Sequence, residues 1–99
     1  MTNNYIKLAG HISGTPELRT LPSGDEIVVF RIVVPRSEEG RVDTIDCQVS
    51  TAALRRKVLR INDSSEVELE GSLHRRFWRG ASGLASRYEV EVRTLQRFG

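Results

Sequence analysis

Ninety-nine residues, 38% hydrophobic and 28% charged, bound the chain to one small domain with a modest core. A net charge of +2 excludes a polybasic tail, so any affinity for a polyanion must come from where the positive groups sit. Cys47 stands alone with only His11 and His74, which excludes an intrachain disulfide and a cysteine-based metal centre; no metal or other cofactor is expected.

Strand signals dominate. Tyr5 to Gly10 alternates, with Ile6 and Leu8 on one face and Tyr5 and Lys7 on the other, and Thr15-Pro16 is expected to break the run. Leu21-Pro22-Ser23-Gly24-Asp25 reads as a turn, because Pro fixes φ and Gly accepts a positive φ. From Ile27 to Pro35, Val28, Phe30, Ile32 and Val34 share one face, and a polar loop from Arg36 to Arg41 follows. A third strand spans Val42 to Ser50, with Ile45, Cys47 and Val49 on its apolar side.

Thr51 to Ile61 is the predicted helix, with Leu54, Val58 and Ile61 at i, i+4 and i+7 and Ser50 or Thr51 as its cap. Asn62 is expected to close it in a left-handed conformation. Glu66 to Leu73 alternates strictly, placing Val67, Leu69, Gly71 and Leu73 inward. Gly80 to Ser86 reads as a loop, and Arg87 to Leu95 as the last strand with Tyr88, Val90 and Val92 inward. Three strands, a helix and two strands fit an all-β, five-stranded Greek-key oligonucleotide-binding (OB) barrel with a helix between strands three and four; a generic small α+β domain fits the pattern as well.

Of the 15 basic residues 13 are Arg and only Lys7 and Lys57 are Lys. Arg offers a planar fork for phosphate and a flat face for bases. Arg55, Arg56, Lys57 and Arg60 form a basic helix face that reads as solvated. Asp43 and Asp46 fall on opposite faces of a strand, and Cys47 shares the apolar face with Ile45 and Val49 as a buried thiol. The sequence contains no recognisable catalytic constellation, and no apolar run approaches the roughly 20 residues of a membrane span. Met1 to Asn4 lacks the features of a secretory signal, so a cytoplasmic location is expected.

Several segments follow one family's order and spacing: Asn4-Tyr5-Ile6-Lys7-Leu8-Ala9-Gly10, Pro16-Glu17-Leu18-Arg19, Pro22-Ser23-Gly24, Phe30-Arg31-Ile32, Ile45-Asp46-Cys47, Val67 to Leu73, and His74 to Trp78. Across essentially its whole length the chain resembles bacterial single-stranded DNA-binding proteins. The resemblance implies non-enzymatic, sequence-tolerant binding of single-stranded DNA in replication, repair or recombination. It also implies a nucleoid-associated homo-oligomer, a tetramer or a dimer, paired partly through the first strand. Trp78 matches a base-stacking aromatic of the family, Arg76 a phosphate contact and Arg19 a DNA-contacting arginine; Arg36 flanks a loop with which such barrels grip the strand. Arg31, Lys7 and His74 complete the candidate set.

On the residues alone, Trp78 could equally cover the edge of the core, and Arg19 could pair with Glu17. Two family aromatic positions carry Thr44 and Ser50, and no acid follows Glu91, so no acidic tail for recruiting repair enzymes is expected. A barrel that works as a protein-interaction module with weak DNA affinity is the alternative.

Overall fold

A computed structural model describes residues 1–98. The alternating segments pair as β1 (Ile6–Thr20), β2 (Glu26–Pro35) and β3 (Val42–Val49), then helix α1 (Ala52–Leu59), then β4 (Glu66–Gly80) and β5 (Gly83–Arg97). They close into a barrel in the order β1-β2-β3-β5-β4, antiparallel throughout except where β3 meets β5. This is the five-stranded OB architecture, with one helix between the third and fourth strands. The interior is filled by Ile12, Val28, Phe30, Ile32, Cys47, Val49, Val67, Leu69, Val90, Val92 and Leu95, and α1 seats Val58 and the following Ile61 against them.

β1 serves two neighbours: Ile6–His11 pairs with β4, and from His11 onward the strand pairs with β2. Between the two halves a β-carbon on Gly10 would sit 2.1 Å from the Val33 carbonyl oxygen, so only glycine permits that approach. Thr15-Pro16 does not end the strand. The register with β2 slips between Ser13 and Glu17, and the buried Pro16 lies inside that irregularity, where its missing N–H breaks no ladder bond.

The helix starts as expected, with the Thr51 hydroxyl accepting from the Leu54 N–H. Its end differs. The last turn tightens, Arg60 and Ile61 N–H donating to the Lys57 and Val58 carbonyls, and the left-handed residue is Ser64 at φ 71, not Asn62. That geometry aims the Ser64 N–H at the Ile12 carbonyl, 2.8 Å away. A long-range bond to β1 therefore decides which residue takes the strained conformation.

The largest departure concerns Gly80 to Ser86. Instead of a loop, β4 and β5 stay paired to a two-residue turn, Ala81–Ser82, between the partners Gly80 and Gly83. Pairing inside a hairpin is local and requires no buried alternation to set it. The result is an arm beyond the barrel wall, and the radius of gyration of 14.2 Å exceeds the roughly 13 Å of a compact chain this size. Leu73 and Tyr88, expected inward, are 41% and 58% exposed because they lie on this arm. The register shifts at its base: Glu70 faces Thr94 but Gly71 faces Val92, leaving Arg93 as a bulge. Ser72 is buried there instead of Leu73.

A β-carbon on Gly71 would meet the Glu91 carbonyl oxygen at 2.1 Å and the Val92 Cα at 3.1 Å. Gly71→Ala is therefore expected to destabilise the fold by about 2–4 kcal/mol, seen as a lower urea midpoint at unchanged slope. A loss below about 0.5 kcal/mol would mean the crossing relaxes freely. Burial, reinforced by the Asp46 and Glu89 charges, pushes the Cys47 thiol from 9.0 up to about 12. Above pH 9.0 the unfolded thiol loses its proton while the folded one keeps it, so stability falls as pH rises toward 12. The stability advantage of the unaltered protein over Cys47→Ala should accordingly shrink over that range; a constant difference would contradict it.

Candidate nucleic-acid interface

The outer face of β2 and β3, the far end of β1 and one face of the arm enclose an open groove of about 610 Å³. Cross-strand pairing explains who meets there. Glu17 pairs with Val29, Arg31 with Asp46, Arg76 with Arg87, and Trp78 with Ala85, all on surfaces turned away from the core. Because β4 and β5 remain paired past the barrel, Arg76 and Trp78 form one flank of the groove.

Trp78 is 43% exposed, with the Arg87 guanidinium carbon 5.3 Å from its ring centroid. The indole is thus oriented by a cation and still presents area to the groove. Arg76 Nη1 donates to Glu89 Oε1 at 3.0 Å, and Gln48 Nε2 donates to the same oxygen at 2.8 Å. Glu89 is only 5% exposed, a buried carboxylate held from two sides. Asp46 bridges Arg31 at 3.0 Å and Arg87 at 3.5 Å, and Arg19 pairs with Glu17 at 3.2 Å. Four arginines (19, 31, 76, 87) against three carboxylates (17, 46, 89) leave one formal positive charge in excess along the groove.

Of the residues singled out in the sequence, Trp78, Arg76, Arg31 and Arg19 converge on this groove, and Lys7, Arg36 and His74 do not line it. Lys7 reaches Glu68 at 3.1 Å on the β1–β4 surface, and that carboxylate raises its pKa. Arg36 forks onto Asp43, with its shortest contact at 2.7 Å; the guanidinium lowers the Asp43 pKa in turn. His74 lies at the base of the arm against the Ser72 hydroxyl, 2.9 Å away, and Glu91. Thr44 and Ser50 are exposed and also stand outside the groove. Asp43 and Asp46 serve different arginines, and the basic helix face is partly structural: Arg55 donates to the Glu26 and Ser50 carbonyls and Lys57 to that of Leu95.

Arg87, Asp46 and Glu89 were not legible as site residues. The signal that finds Arg87 is the Gly80/Gly83 pair: a two-residue turn between them aligns Arg87 with Arg76. Nothing in the local sequence announces that Glu89 is buried, because its cover comes from Gln48 and the opposite strand.

A search of curated proteins found no similar sequence. Among solved structures, the Plasmodium falciparum SSB complex with ssDNA superimposes with a TM-score of 0.81 at 20% identity, covering 100% of this chain and 97% of that one. At that identity the likeness is one of fold. The model of the Single-strand binding protein family matches residues 3–98, nearly the full length, and the chain therefore belongs to that family.

Proposed function

We propose that this protein binds single-stranded DNA without catalysis and with little sequence preference, as a homo-oligomer acting in replication, repair or recombination. The observation that carries the reading is one groove holding a half-exposed, cation-oriented indole among four arginines. Trp78 stacks on a base, and every base has a face to offer. Arg76, Arg31, Arg19 and Arg87 neutralise phosphates and release counterions. Family membership and the fold shared with a protein solved in complex with ssDNA support the same partner.

One observation favours the protein-interaction alternative: each groove arginine already has a carboxylate. Exposed pairs are worth only about 0–1 kcal/mol, so phosphate can displace Glu17 and Asp46 at small cost. Arg76 need not let go of Glu89. A guanidinium carries five N–H donors, and a single nitrogen is engaged with that carboxylate, so the pair can fix the side chain while its free edge meets a phosphate.

Oligo(dT) should quench Trp78 fluorescence strongly at low salt, with quenching lost as salt rises. Followed by anisotropy of a labelled strand, Trp78→Ala should weaken binding about 5- to 150-fold, the equivalent of one stacking interaction. No quenching at low salt, together with saturable binding of a protein partner, would favour the alternative. Asp46→Asn releases both Arg31 and Arg87 and should tighten binding while steepening the slope of log K against log salt by roughly 0.7 for each further phosphate neutralised. Weaker binding in that variant would show that Asp46 positions the arginines rather than competing for them.

A further inference from the structure

The groove uses one face of the arm, and the opposite face has no partner. It carries Leu73, Arg75, Phe77 and Arg79 from β4 facing Leu84, Ser86 and Tyr88 from β5. Phe77 and Tyr88 are each 58% exposed. The Arg75 guanidinium carbon lies 4.8 Å from the Phe77 ring centroid and 5.4 Å from that of Tyr88, steadied by the Ser86 hydroxyl at 3.1 Å. The Arg75 cation thus lies within reach of both rings.

Charge distinguishes this face from the groove. None of its positions holds a carboxylate, and among the described residues Arg75 and Arg79 make no ion pair. Every groove arginine is countered; these two are not. Phe77 also lines the groove, so the two surfaces adjoin at that residue.

We propose that this face is a second contact surface for single-stranded DNA. A strand leaving the groove crosses the lip at Phe77, lays bases on Phe77 and Tyr88, and sets phosphates against Arg75 and Arg79. The inference rests on the groove being a single-stranded DNA site. A second copy of the chain is the poorer occupant, because a two-fold contact through this face brings four arginines together with no acid between them.

Oligo(dT) of about 6 and about 20 nucleotides separates the surfaces, since the short strand fills the groove and only the long one reaches around the arm. Tyr88→Ala should leave the short oligonucleotide within about twofold and weaken the long one about tenfold, at unchanged circular dichroism and solution mass. Trp78→Ala should weaken both. Arg79→Ser, near the exposed end of the arm, repeats the test by charge and should flatten the salt dependence for the long strand alone. If only Trp78→Ala weakens binding, or if Tyr88→Ala weakens both lengths equally, the second surface is wrong and the groove stands. Should none of the variants matter, the groove reading falls and takes this one with it. A drop in solution mass for Tyr88→Ala would assign the face to self-association and overturn the proposal.

Discussion

At Gly71 the β4 chain passes so close to the Glu91 carbonyl that no side chain fits between them, and beside that crossing Arg93 bulges out of β5. The site depends on this contact. On one side of it the two strands are barrel wall, carrying Val67, Leu69, Val92 and Leu95 into the core. Beyond it β5 stays in the wall through Glu91 and Val90, which pair with β3, and the two strands then run on as a hairpin whose pairing persists to Gly80 and Gly83. A bulge strengthens local twist and re-aims whatever follows. Here it turns a run that begins as core alternation into an arm with two solvent-facing sides.

The groove that results is electrostatically restrained. Its arginines are numerous, but Glu17, Asp46 and Glu89 hold them in place and cancel most of their charge. Buried Glu89 is the firmest of these anchors, since it accepts from both Gln48 and Arg76 and without Arg76 would be stranded as an unpaired buried charge. Such an arrangement favours orientation over long-range attraction: cations are set in fixed positions beside an oriented indole, with only a small net field.

How much of this was legible depended on the range of the interaction. The faces of β2 and β3, the helix and its apolar stripe, and the turn at Pro22-Ser23-Gly24 all follow from local spacing. Trp78 and Arg76 were legible as a pair on one face, because side-chain alternation holds within any extended strand. Leu73 and Tyr88 were misplaced for the complementary reason. Alternation predicts which residues share a side but not whether that side faces a core: the core ends at Val90, so its cross-strand partner Leu73 and the next residue on that side, Tyr88, are left in solvent.

By itself, then, the amino-acid order determined the strand periodicity, the helix, the buried thiol and the aromatic-arginine segment, all set by neighbours a few positions apart. Tertiary structure alone decided that the last two strands pair beyond the barrel, that Glu89 is buried, and that Arg19, Arg31 and Arg87 meet Trp78 while Lys7 and Arg36 are held elsewhere by acids. Those outcomes turn on register and on contacts between residues dozens of positions apart, and a periodic pattern carries no information about either.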